Sequence, residues 1–350
     1  MKKVFLFGYY GFGNLGDELL CAYYTSLLGA HFPELKLIIL RDKPNEQEIE
    51  YKTVSRWNLW QLSKMMAPGD LLVGGGGSIF QDATSKRSLF YYLALLRLAG
   101  WRHLEIILAG QGLGPLSSLG RRLVGPYLNS ALGISCRDQW SLATLVEMGV
   151  NRPLLYLGVD PLWDFQAPEL LFKPAKRRYR PSALGFFFRK EERNRKQRLL
   201  FRLKLRFEGL RLITLFPEDY PVAEVVSQEI GASPPLLLTE VRDLAAIAPE
   251  LTMVIGERLH GLLLAAKYGL PGIGLSNDPK IKAFCQQMEW PCFSWQDLCV
   301  ENLMVMAIEE ILSDLGSAEQ QVLQKRTEME KKAREERDWF LQLIEQTLVK

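Results

Sequence analysis

The sequence predicts two α/β domains, each a doubly wound parallel sheet, facing one another across a cleft and followed by a long C-terminal helix. Three observations carry this expectation. Strand-length apolar runs alternate with helical stretches along most of the chain, and many of those runs end in glycine-bearing turns. A proline-punctuated basic interval near the middle separates two such series. At 350 residues the chain is also too long for one core of usual size, which favours two domains.

The elements follow in order. In the N-terminal half, apolar runs at residues 4–7, 37–40, 71–73, 106–109, 133–135 and 155–157 each precede a turn rich in glycine or charge. Strands that alternate with helices of about ten residues or more read as one parallel sheet covered on both faces. Around 165–181 the pattern is interrupted by Pro168, Pro174 and Pro181, as in a hinge or linker. It resumes at 183–188, 211–216, 236–238, 251–255 and 271–275. From about 317 to 350 the chain reads as an amphipathic helix with Leu323, Trp339, Phe340 and Leu343 among its apolar positions. The expected domains are therefore 1–172 and 182–316, with the helix 317–350 after them.

Composition narrows the function classes. A hydrophobic content of 48% with 24% charged residues describes a soluble globular chain. The net charge of +3 is too small to suggest nucleic-acid binding. The Met1-Lys-Lys start reads as neither signal peptide nor anchor, and the longest apolar run, 89–101, contains Arg97 and is too short to span a membrane. Five cysteines without a Cys-x-x-Cys pair point to a reducing cytoplasm and away from a metal site.

The most informative stretch is Val254-Ile-Gly-Glu-Arg-Leu-His-Gly261 and the apolar helix after it. A strand enters a turn holding Glu257, Arg258 and His260, so two potential cations stand at a helix N-terminus that already favours an anion. The other histidines, His31 and His103, lie in polar surroundings. This turn reads as an anion-handling acid/base site; the plainer alternative is an Arg–Glu ion pair beside a core histidine.

The first loop contains Gly11-x-Gly13-x-x-Gly16 after a strand, with Asp42 ending the next strand. That spacing matches a dinucleotide fingerprint. Asp17 and Glu18 oppose it, because they place negative charge where a pyrophosphate needs the positive helix end. A carboxylate here suits helix capping, or accepting a proton from a bound hydroxyl.

Residues 173–206 hold fourteen Lys or Arg against Glu191 and Glu192. They read as a solvated helix face plus linker, or as a cationic lip for a membrane surface or a pyrophosphate-bearing substrate. Aromatic residues are not interleaved as in a single-strand nucleic-acid groove.

Taken together, Gly13-Asn-Leu-Gly-Asp-Glu18, Gly74-Gly-Gly-Gly-Ser-Ile-Phe-Gln-Asp82, Gly110-Gln-Gly-Leu-Gly-Pro115, Ser135-Cys-Arg-Asp138 and Glu257-Arg-Leu-His-Gly261 resemble the polysaccharide pyruvyl transferase family, most closely its bacterial cell-wall members. The resemblance implies a glycosyltransferase-B-like fold. It also implies transfer of a pyruvyl group from phosphoenolpyruvate to a sugar, giving a cyclic ketal and phosphate. In cell-wall relatives the acceptor is an N-acetylmannosamine-containing, lipid-linked saccharide, and the ketal helps anchor surface-layer proteins.

Carried over residue by residue, phosphoenolpyruvate falls to Arg258, Leu259 and His260, with Arg137 and Lys280 as further contacts. His260 is the candidate acid and Asp17 the candidate base; Asn14, Asp17, Glu18, Gln81 and Asp82 are the candidate acceptor contacts. No metal or cofactor is implied, since phosphoenolpyruvate is itself a substrate. The expected location is cytoplasmic, with peripheral contact at the inner membrane face. The alternative is an enzyme of the same fold using a nucleotide-sugar donor, whose diphosphate the Arg-x-His turn would hold. A non-catalytic saccharide-binding protein is the remaining reading.

Overall fold

The computed structural model describes residues 2–44, 51–83, 85–166 and 183–349. They form two compact units: Met1–Phe12, Asp17–Phe165 and Glu330–Lys350 make the first, and Gly13–Gly16 with Gln166–Met329 the second.

In the first unit the chain runs β1 (Lys3–Phe7), α1 (Leu15–His31), β2 (Lys36–Arg41), β3 (Lys52–Ser55), α2 (Leu59–Met65), β4 (Leu71–Phe80), α3 (Lys86–Trp101), β5 (Glu105–Leu113), α4 (Ser118–Leu128), β6 (Gly133–Cys136), α5 (Gln139–Glu147) and β7 (Leu154–Leu157). The sheet order is β3-β2-β1-β4-β5-β6-β7, and every pairing is parallel. Phe5, Phe7, Ile38, Leu40, Leu72, Ile106 and Leu108 are buried in one cluster with Leu95, Leu96 and Leu145 from the helices. Covering a parallel sheet on both faces makes its strands continuous apolar runs, which is why they were readable.

Two expectations need correction. The glycines at 74–77 and at 110 and 112 were read as turns after short strands; they lie inside β4 and β5. The ladder continues through them, with Gly74 opposite Leu108 and Gly77 opposite Gln111. Gly75 is small because a Cβ there would come within 2.3 Å of the Tyr10 hydroxyl, while Gly76, Gly77 and Gly110 take positive φ angles of 78°, 87° and 61°. β3 was not anticipated, having Val54 as its one buried residue.

The second unit runs β8 (Ala183–Phe187), α6 (Arg193–Lys204), β9 (Gly209–Thr214), α7 (Tyr220–Glu229), β10 (Leu236–Leu237), α8 (Val241–Ile247), β11 (Leu251–Gly256), α9 (Leu259–Lys267), β12 (Gly272–Leu275), α10 (Pro279–Met288), β13 (Cys292–Phe293) and α11 (Val300–Ser313). Its parallel sheet has the order β10-β9-β8-β11-β12-β13. Counted within the unit this is again the doubly wound order, reversing direction between β8 and β11. Leu184, Phe186, Leu212, Met253, Ile255 and Ile273 build its core with Leu199, Leu203 and Met304. The proline-rich hinge expected around 165–181 lies almost wholly outside the described residues, as does the start of the basic stretch, 173–182.

Helix α12 spans Leu315–Val349. In the first unit its Phe340 and Leu343 are buried, and Glu336 reaches under the loops, accepting hydrogen bonds from Gly110 N at 3.2 Å, Val159 N at 3.0 Å and the Ser135 hydroxyl. Leu323, expected on the apolar stripe, is exposed. Among the described residues no helix is long and apolar enough to cross a membrane.

Candidate active site

The second unit brings cations to the carboxyl ends of neighbouring strands, where doubly wound sheets bind ligands. β8 and β11 pair in register up to Phe187 opposite Gly256. Just beyond that point the chain places Arg189 after β8 and Arg258 with His260 after β11. Arg258 is the residue before α9, and His260 lies in its first turn. Gly261 is required because a Cβ there would come within 2.6 Å of the Phe187 ring, so α9 can lie down on β8.

Arg258 pairs with Asp219, and not with the neighbouring Glu257 of the plainer alternative. Asp219, fully buried after β9, takes its Nε–Nη2 edge, with Nε donating at 3.0 Å and Nη2 closer still. Asp219 also accepts from Lys190 N at 3.1 Å. One edge of the guanidinium is thereby fixed against Asp219. Leu259, assigned to the donor by resemblance, opens α9, and its apolar side chain is buried at 6% exposure.

Behind Arg258 lies a buried ion pair. Glu257 Oε2 sits 2.9 Å from Lys196 Nζ, while Oε1 accepts the Trp295 indole N–H at 2.9 Å. Burial pushes the Glu257 carboxyl up to about 7 against the opposing pull of Lys196 and Trp295, and burial likewise lowers Lys196. Lys196 departs from the expectation of a solvated or membrane-facing stretch, whereas Arg193, Arg195, Arg198, Arg202 and Arg206 are exposed as expected. Lys196 is fully buried, in line with Leu199, Leu200 and Leu203 on α6. Other members of the stretch are also engaged within the unit: Arg193 pairs with Glu229 at 2.5 Å, Arg202 with Glu301 at 3.3 Å, and Arg195 donates to Trp295 O at 2.5 Å.

Lys280 stands in the first turn of α10, beyond β12, 3.1 Å from Asp278. Burial alone would raise the Asp278 carboxyl, but Lys280, its backbone N–H and Arg189 outweigh it and hold Asp278 below the ordinary carboxylate value.

The segment Gly13–Gly16 belongs to this unit, and it carries Asn14. Leu15 N donates to Leu215 O at 3.0 Å. A Cβ on Gly16 would lie 1.7 Å from His260 Nδ1. The last glycine of the fingerprint-like spacing thus makes room for a histidine.

In the first unit, Asp17 is buried within the first turn of α1 and so is not the residue that caps it. Glu18 accepts from Gly11 N at 2.7 Å and pairs with Arg41 at 2.6 Å, locking the loop before α1. Asp82 accepts from Ser117 N at 2.9 Å and from the Ser117 hydroxyl. Gln81 packs where a Cβ on Gly114 would come within 2.1 Å of it. Arg137 is buried between Asp160, at 2.9 Å, and the Ser78 hydroxyl, at 2.7 Å. Of the predicted residues, then, Arg258, Leu259, His260 and Lys280 lie just past neighbouring strand ends of the second unit, which also holds Asn14. Asp219, Arg189 and the Lys196–Glu257 pair were missed. A usable signal existed: Arg189 and Asp219 each lie a few residues past an apolar strand run, and Lys196 keeps helical spacing with three leucines.

A sequence profile described as polysaccharide pyruvyl transferase matches residues 14–279. No curated protein matches the chain significantly in sequence. Among solved structures the chain is similar to sucrose-phosphate synthase from Thermosynechococcus elongatus, with a TM-score of 0.65 and 13% identity over 100% of both chains. It is also similar to Anabaena HepE in complex with UDP-glucose, at 0.63 and 11% over 99% of both. A glycosyltransferase from Rickettsia africae matches at 0.61 and 9% over 98% of both. At such identities the likeness concerns the fold, which is glycosyltransferase-B-like.

Proposed function

Because the chain belongs to the polysaccharide pyruvyl transferase family, we propose that it transfers a pyruvyl group from phosphoenolpyruvate to a cell-wall or exopolysaccharide sugar, forming a cyclic ketal and releasing phosphate. The observation that carries this reading is the turn Arg258-Leu259-His260 at the switch point of the second sheet, with Lys280 on the next strand end. Phosphoenolpyruvate presents a phosphate and a carboxylate on three carbons. Its recognition therefore calls for several cations beside oriented N–H groups, and the start of α9 supplies both.

In this mechanism a proton adds to the methylene carbon, and a sugar hydroxyl attacks the adjacent carbon. Phosphate leaves, and a second hydroxyl closes the ketal. His260 is the proposed acid, or the group that balances charge on the departing phosphate. Asp17 is the proposed base. Arg258 and Lys280 hold the donor, and Arg137 is proposed as a further donor contact. Asn14 and Gln81 are the proposed acceptor contacts, while Glu18 and Asp82, proposed alongside them, also organise their own loops. We assign the enzyme to the cell-wall branch and to the cytoplasm, acting on a lipid-linked, N-acetylmannosamine-containing acceptor. Peripheral contact with the inner membrane face follows from such an acceptor. No cofactor enters this scheme.

A phosphate-release assay with phosphoenolpyruvate, run beside a panel of nucleotide sugars, tests the proposal. Release from phosphoenolpyruvate alone is expected. Turnover of a nucleotide sugar in its place would favour a glycosyltransferase.

A further inference from the structure

Arg189 stands where no motif places a functional residue, yet its position in the sheet is equivalent to that of Arg258. Phe187 and Gly256 are paired in register, and each arginine follows its strand by two residues. β12 lies on the other side of β11, so the ends of β8, β11 and β12 present Arg189, Arg258 and Lys280 in turn.

Two carboxylates tie Arg189 to the other two cations. Glu191 Oε2 lies 2.9 Å from Arg189 Nε. Burial would raise the Glu191 carboxyl, but Arg189, a backbone hydrogen bond and Arg258 together hold it low. Asp278 lies 4.0 Å from Arg189 Nη1 and 3.1 Å from Lys280. Three cations thus share Glu191, Asp219 and Asp278.

The backbone of Arg189 is clamped at both ends by the buried pair. Its N–H donates to Glu257 Oε2 at 3.0 Å, and its carbonyl accepts from Lys196. Lys196 also holds the Glu191 carbonyl. The Glu191 side chain, by contrast, is 51% exposed, whereas those of Asp219 and Asp278 are at 0% and 15%. A fixed arginine with one exposed counter-ion suits the exchange of that counter-ion for a ligand anion.

We propose that Arg189 is a further donor-binding residue that contacts the phosphate or carboxylate of phosphoenolpyruvate, and that Glu191 is the internal anion the donor displaces. The inference rests on the phosphoenolpyruvate reading above. The buried Lys196–Glu257 pair then has a purpose: it positions Arg189 beside Arg258.

The test measures phosphoenolpyruvate Kd by calorimetry and KM by phosphate release in the full chain, with circular dichroism to confirm folding. Arg189→Gln should weaken the donor by roughly 10- to 100-fold, the range for one charge-assisted hydrogen bond, and Arg189→Lys should restore part of that. Glu191→Gln should tighten donor binding by roughly 3- to 10-fold, since it removes a competing charge. The same change in an Arg189→Gln background should have no effect. A purely structural Arg189–Glu191 pair would instead make Glu191→Gln neutral or harmful. Inorganic phosphate should compete with phosphoenolpyruvate in the wild type and lose that ability in Arg189→Gln. UDP should bind wild type and Arg189→Gln alike or not at all; a UDP affinity that depends on Arg189 would overturn the donor assignment. Wild-type turnover of phosphoenolpyruvate with an unchanged Kd in Arg189→Gln would overturn this inference alone. A wild-type enzyme that neither binds nor consumes phosphoenolpyruvate would overturn it together with the functional reading.

Discussion

Asp219 holds Arg258 along its Nε–Nη2 edge from a fully buried position, 39 residues away in sequence. An arginine fixed in this way meets a ligand without losing side-chain freedom, because its geometry is already set. Arg258→Ala should raise the phosphoenolpyruvate Kd by roughly 30- to 1000-fold, as expected for loss of a charge-assisted pair worth about 2–4 kcal/mol. Arg258→Lys should recover only part, since an ammonium cannot span Asp219 and the donor at once. Asp219→Asn should cause a smaller loss that appears in donor KM. Titration calorimetry of the three variants checks this order, and a donor Kd unchanged in Arg258→Ala removes Arg258 from the site.

His260 is assigned proton transfer, so its removal should affect turnover more than binding. His260→Ala should lower kcat by roughly 10²- to 10⁴-fold. His260→Gln keeps a hydrogen-bonding side chain without acid/base ability. Near-normal turnover in this variant would leave His260 a binding role only.

Gly16 gives a second handle on the same histidine. A methyl group there must displace the imidazole, because its Cβ would lie 1.7 Å from Nδ1 and 2.7 Å from the His260 Cβ. Gly16→Ala should therefore cost activity while the fold persists. In a His260→Gly background, which removes the imidazole and the Cβ together, the added methyl should cost far less, and a double-mutant cycle reads this as strong coupling. Independent, additive losses would contradict the packing.

The strand pattern was legible in the sequence because parallel strands covered on both faces are unbroken apolar runs. β3 and β13 were not, being short and poor in buried residues. Gly74 to Gly77 were misassigned for a chemical reason: glycine signals a turn, whereas here Gly75 admits Tyr10 and Tyr24 beside the strand and Gly76 and Gly77 carry positive φ within it. Arg258 and His260 could be found because they share one turn. Asp219 and Arg189 each follow an apolar run closely, but only the sheet order brings them to that turn. Lys196 looked like part of a charged surface until its place on the leucine stripe of α6 was counted.

Glu336 provides a pH test of the first unit. Burial pushes its carboxyl from the ordinary 4.5 to about 7, although Ser135 and the Val159 and Gly110 N–H groups oppose the shift. The folded state then holds this proton more tightly than the unfolded state. Its contribution is full below about pH 4.5 and is lost as pH rises to about 7, of order 3 kcal/mol over the window. Glu336→Gln cannot ionise, so Tm measured between pH 5 and 8 should fall less in this variant than in wild type. Parallel pH profiles would contradict the assignment.

Asp17→Asn separates acceptor chemistry from dinucleotide binding. Asp17 lies in the first turn of α1, where an amide fits the same space but cannot take a proton. Turnover should fall with little change in Tm, and NAD should shift the Tm of neither form. Stabilisation of wild type by micromolar NAD would restore the dinucleotide reading of Gly11 to Gly16.

Ketal formation from phosphoenolpyruvate leaves its mark on the acceptor, where mass spectrometry reads it. A lipid-linked, N-acetylmannosamine-containing saccharide incubated with the enzyme and phosphoenolpyruvate should gain the mass of one pyruvyl ketal and one carboxylate charge, with an equal amount of phosphate released. An acceptor left unchanged with phosphoenolpyruvate, but extended by a hexose when a nucleotide sugar is supplied, would make the enzyme a glycosyltransferase instead.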